Sequence, residues 1–116
     1  MSSTIKLKLA TAVLVVLLLI PTKERAYCRH LRESGVKMPE SYLKLCDAET
    51  RASVEFVRFL VEQGIAHVDV TPVLESHVDR SIQLYPADSD GHPQAAGYEV
   101  IAREVAAAVR RLFPKK

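Results

Sequence analysis

Residues Leu9 to Ile20 read LATAVLVVLLLI, an uncharged run that stops at Pro21, and no other segment restricts the fold so sharply. A helix needs about 20 apolar residues to cross a bilayer. This run is too short to do so. Its core, Val13 to Ile20, is rich in Leu and β-branched residues and ends on a proline, the pattern of a strand buried on both faces of a parallel sheet. Lys6 and Lys8 precede the run, which is also the order of a signal-peptide n-region and h-region. No small-x-small cleavage site follows; Pro21-Thr22-Lys23-Glu24-Arg25 is charged and turn-like. The buried strand is the preferred reading and implies a cytoplasmic chain. A targeting segment or anchor is the alternative and implies export or membrane association.

The 116 residues amount to one domain. At 48% hydrophobic and 26% charged, the chain can bury a core and is not expected to be disordered. A net charge of +2 and the absence of Trp exclude a strongly cationic or base-stacking nucleic-acid binder. The expected division is an extension over 1–10, an α/β domain over 11–113 and a tail over 114–116. Glu24 to Ser34 is helix-compatible and closed by Gly35. Val36 to Cys46, with Met38-Pro39, is expected to be loop with a short helix. Asp47 is a plausible N-cap for a helix over Ala48 to Gln63 that buries Val54, Val57, Leu60 and Val61, with Phe56 and Phe59 widening the stripe. Gly64 suits the C-cap. Ile65 to Val70 reads as a second strand, then Thr71 as N-cap and Pro72 as N1 of a helix to about Ser81. A polar, turn-rich segment spans Tyr85 to Pro93. A last helix spans Gln94 to Phe113, with Tyr98, Ile101, Ala102, Val105, Val109 and Leu112 on one face.

Strands separated by helices imply an α/β layout with parallel strands. Two strands make a poor sheet. Such a chain either dimerises or belongs to a larger domain, and its oligomeric state is open. No internal repeat or low-complexity stretch is present.

Cys28 and Cys46 are too few for a disulfide scaffold, and without a C-x-x-C or H-x-x-x-H pair they suggest no zinc site. Two ordinary half-buried thiols are expected, with a single bridge as the alternative in an exported chain. His67 is expected to pack in or beside the sheet, and His30 and His77 to be solvated on helices. Asp69 is expected to cap the turn before Thr71-Pro72, although it also falls at the sheet edge where open α/β folds bind ligands. Lys23, Glu24 and Arg25 follow the first strand at that edge, either lining a groove or solvated.

The segment that could carry chemistry is Asp88-Ser89-Asp90-Gly91-His92-Pro93. An acid two or four residues before a histidine can hold one imidazole nitrogen and leave the other as a base. The same residues also suit plain turn and cap roles.

Asp-x-His-Pro followed by Ala-x-Gly-Tyr and an Ile-Ala helix resembles the last conserved block of the SGNH (GDSL-type) hydrolases. LVVLLLIPTKERAY is similar to a strand and loop of SGNH hydrolase-like and O-acetyltransferase-like members, and IAHVDVTPVL to the strand that follows. The resemblance covers about residues 11 to 112. It implies part of a three-layer α/β/α flavodoxin-like fold and ester hydrolysis or acyl transfer through a Ser-His-Asp triad. The implied substrate is an ester or acylated carbohydrate, and no metal or organic cofactor is implied. His92 would be the general base and Asp90 its orienting acid, with Asp88 the alternative. Many members place the acid three residues before the histidine, where this chain has Ser89.

The nucleophile half is missing. There is no Gly-Asp-Ser and no Gly-x-Ser-x-Gly, and a chain without any Asn cannot supply the family's oxyanion-hole Asn. The chain resembles the C-terminal half of such a domain, and the isolated chain is expected to lack significant esterase activity. The alternative is a non-catalytic exported or membrane-associated α/β protein.

Overall fold

The computed structural model describes residues 15–114. The order is β1 (Leu17–Leu19), α1 (Lys23–Glu33), α2 (Glu40–Glu62), β2 (His67–Asp69), α3 (Thr71–Asp79) and α4 (Ala95–Leu112). The two strands pair in parallel, Leu17 opposite His67, Leu18 opposite Val68 and Leu19 opposite Asp69. The chain is therefore mixed α/β with a small parallel sheet. The part of the apolar run before residue 15 lies outside the described residues. Among the described residues no helix is long and apolar enough to cross a membrane.

The main core gathers Ala26 from α1, Val68 and Val70 from β2 and the residue after it, and Leu74 and Val78 from α3. Leu84 and Tyr85 join them from the loop, and Ile101 and Ala108 from α4. Tyr85 is buried, meets Tyr27 edge-on at a centroid distance of 5.9 Å, and donates its hydroxyl to Pro21 O at 3.3 Å. Burial pushes the Tyr85 phenol up to about 12. Beside the core, Arg29 of α1 pairs with Asp79 at 2.7 Å and Glu75 at 3.4 Å on α3. Partial burial raises the Glu75 carboxyl despite Arg29.

Several expectations are corrected. The strand is real over Leu17–Leu19, but it is not buried on both faces: Leu18 and Ile20 point to one face, which no described element covers, and are exposed. The helix expected from Ala48 begins at Glu40, with Pro39 in extended geometry at its N-cap. Pro39 stops the backbone from being helical before it, and the following residues have no break, so Asp47 lies inside α2 and bonds Arg32 at 3.0 Å instead of capping. Only Leu60 of the expected stripe is fully buried; Val54, Phe56, Phe59 and Val61 are exposed, since α2 packs chiefly on α1 and nothing covers its flanks. Tyr98, Ala102, Val109 and Leu112 are likewise exposed on α4. Thr71 is inside α3, not its cap. Asp69 Oδ1 accepts from Thr71 N at 2.9 Å, and the Thr71 hydroxyl is buried without a partner. His30 and His77 are not free in solvent: His30 Nδ1 lies 3.1 Å from Asp79 Oδ1, and His77 Nδ1 lies 2.8 Å from Val73 O. Gly64 does follow the end of α2, in the left-handed region at φ 66°.

Candidate functional site

The loop between α3 and α4 is shaped by its own aspartates. Asp88 Oδ1 accepts the Asp90 amide at 2.9 Å, and Asp90 Oδ1 accepts the His92 amide at 2.9 Å. Each is an Asx turn, in which a short carboxylate bonds the backbone two residues on. The second turn brings the two side chains together, with His92 Nδ1 also 2.9 Å from Asp90 Oδ1. An ionised carboxylate only accepts, so Nδ1 of the imidazole carries the proton and Nε2 is the free lone pair. Of the two candidate acids, Asp90 meets the ring and Asp88 supports Asp90. The bonds from the His92 amide and then the His92 ring hold the Asp90 carboxyl below its ordinary value.

Three contacts fix the loop on the body. Its neck is closed where the Gln94 amide donates to Leu84 O at 2.9 Å and Gln94 Nε2 donates to Gln83 O at 2.8 Å. Leu84 and Tyr85, part-way along the loop, plug into the core. Lys23, at the start of α1, donates its ammonium to Pro86 O and, at 2.8 Å, to Asp88 O. Lys23 follows β1, so the loop is held at the carboxyl edge of the parallel strands, where open α/β sheets place ligands. A cavity of about 270 Å³ lies there, lined by Lys23, Glu24, Tyr27, Leu31, Tyr42, Asp88 and Ser89. It reaches the loop at Asp88 and Ser89 and not at His92.

The pair is open to water: the His92 side chain is 84% exposed and that of Asp90 52%. Among the described residues no hydroxyl is hydrogen-bonded to His92. Ser89 sits in the same loop and is exposed. Among the described residues no three His, Cys, Asp or Glu side chains group closely enough to share a metal ion. His67 is half-buried in β2 with Nδ1 3.0 Å from Ile65 O, and Asp69 is occupied as a cap. Arg25 donates to Ser53 Oγ at 2.6 Å and lies 3.9 Å from Glu49, and Glu24 O accepts from Tyr42. Of the three charged residues after β1, then, Lys23 bears directly on the loop.

The reading of the sequence missed the clamp role of Lys23 and the anchor role of Leu84-Tyr85. The apolar pair Leu84-Tyr85 at the start of a polar segment was a usable signal. The bond from Lys23 spans more than sixty residues and has no local signature.

Comparison with family models, with curated proteins and with solved structures found no match to this chain.

Proposed function

We propose that this chain carries the acid–histidine half of an SGNH-type ester hydrolase or acyl transferase, with Asp90 orienting His92 as the general base. In that reading the sheet and helices are part of a three-layer α/β/α flavodoxin-like domain. The serine and the oxyanion donors come from residues outside this sequence. The observation that carries it is the Asp90–His92 pair, fixed by an Asx turn and clamped by Lys23 beside the carboxyl ends of two parallel strands.

The chemistry follows from the pair. Nε2 of His92 would take the proton of a serine hydroxyl as it attacks an acyl carbon. The imidazolium then faces the Asp90 carboxylate, and the proton passes on to the departing alcohol. The substrate class is an ester, an acylated carbohydrate among them. Among the described residues no hydroxyl is held against His92, so in this reading the chain alone is expected to lack esterase activity.

The test is the coding sequence upstream of the Met1 codon. An open frame encoding a Gly-Asp-Ser segment and a later Asn supports the proposal. The longer protein should then hydrolyse p-nitrophenyl acetate, and His92→Ala should slow it by on the order of 10³-fold. A closed frame overturns it and leaves the non-catalytic reading, in which the Asx turns only shape the loop. Ester hydrolysis by the 116-residue chain that vanishes in His92→Ala would overturn the missing-nucleophile part.

A further inference from the structure

We propose that Cys28 and Cys46 form a disulfide that staples α2 to α1, independently of any hydrolase role. Both thiols are free and buried, at 5% and 3% exposure. They lie in one seam. Glu24 O accepts from Tyr42 Oη at 2.6 Å and from Cys46 Sγ at 3.7 Å. Cys28 is one helical turn after Glu24, on the same face of α1. Arg32, one turn beyond Cys28, bonds Asp47, the neighbour of Cys46, at 3.0 Å, and Arg25 reaches Ser53 and Glu49 further along α2. Cys46 and its neighbour Asp47 thus touch α1 one turn before and one turn after Cys28.

The seam has reason to need a staple. α2 packs chiefly on α1, and its flanks are exposed. It also reaches the loop clamp, because Glu49 accepts from the amide and hydroxyl of Thr22, the residue before Lys23. Holding α2 down thus holds the start of α1 in place.

The reaction is thiol–disulfide exchange with a small-molecule disulfide. One cysteine thiolate attacks a sulfur of the oxidant and expels its other half as a thiolate. The second cysteine thiolate attacks the resulting mixed disulfide and expels the remaining half. The protein loses two protons and two electrons, and the oxidant disulfide is reduced to two thiols. Burial, followed by the hydrogen bond with Cys28, pushes the Cys46 thiol up to about 12, so the closed seam reacts slowly and exchange proceeds through transient opening. A bridge of this kind persists in oxidising compartments.

The full chain, folded, is incubated with reduced and oxidised glutathione at mildly alkaline pH until its thiol content stops changing. Intact mass and peptide mapping then follow. The expected product is a monomer lighter by two hydrogens, with Cys28 and Cys46 peptides joined. It should melt higher than the reduced chain by on the order of 10 °C, as expected for a closed loop of this length. Two alkylatable thiols at the end point, glutathione adducts alone, or a disulfide-linked dimer would each overturn the proposal. So would an internal bridge that leaves the melting temperature unchanged or lower.

Discussion

Replacing Gly97 by Ala sets two effects of known size against each other. Gly97 is buried in the first turn of α4. Alanine there gains helix propensity, at most about 1 kcal/mol. Its Cβ, however, would lie 2.5 Å from Leu84 O and 2.9 Å from Pro93 Cβ. Neither neighbour can yield freely. Leu84 is fully buried and its carbonyl accepts the Gln94 amide at 2.9 Å, while Pro93 is a rigid ring. Overpacking of this kind costs about 1–3 kcal/mol. The clash wins, and the net loss is about 1–2 kcal/mol, a fall in melting temperature of about 5 °C or more for a domain of this size. Thermal melting by circular dichroism reads it directly. Because Leu84 and Pro93 bound the loop at both ends, the His92 ring signals should shift in the NMR spectrum as well. A melting temperature that rises, as propensity alone would give, refutes the close approach of α4 to the loop neck.

Lys23→Met should loosen the loop at little cost to the fold: losing about 1 kcal/mol of clamp speeds amide exchange over the loop about five-fold, and unchanged exchange would refute the clamp. Asp90→Asn keeps an acceptor but loses the charge, so nitrogen-detected NMR should show the Nδ1–H preference of His92 weakened; an unchanged tautomer ratio would show that the carboxylate does not set it. In the parent chain the Asp90 carboxyl is held below its ordinary value of 3.8. Its contribution to loop order is therefore complete above that value and lost as pH falls through the lower, folded one, and an acid titration that disorders the loop well above 3.8 contradicts the Asx turn. Leu60→Ala should cost about 2–5 kcal/mol by urea unfolding, and Phe59→Ala, at an exposed position, about 0.5 kcal/mol or less; similar losses for both would mean that α2 faces the other way.

Local chemistry was legible in the sequence, and tertiary context was not. The Asp-x-Asp-x-His spacing encodes its own geometry, since each aspartate bonds the amide two residues ahead without help from the rest of the fold. Gly64 after α2 and the order of strands and helices were readable for the same reason. The inward stripe of α2 was not, because periodicity says which residues share a face and nothing about whether a neighbour covers it. Phe56 and Phe59 obey the helical spacing and still face water. Asp47 looked like a cap because its residue type favours caps, and the start of the helix was decided instead by Pro39. The choice between Asp88 and Asp90 needed coordinates, because both spacings permit an acid–histidine pair.

Among the described residues, one face of β1 and the His92 ring are both left exposed. A parallel sheet is normally covered on both faces; among the described residues this one has two strands. Leu18, Ile20 and Phe56 are exposed around a cleft of about 400 Å³ at the carboxyl edge of the strands. An acid–histidine pair gains catalytic value from a site that excludes water, where the field of the carboxylate is not screened and a nucleophile can be held against the free nitrogen. With its side chain 84% exposed and no hydroxyl bonded to it among the described residues, His92 has neither condition. In the proposed reading, cover over the exposed imidazole is what would turn Asp90 and His92 into a working base.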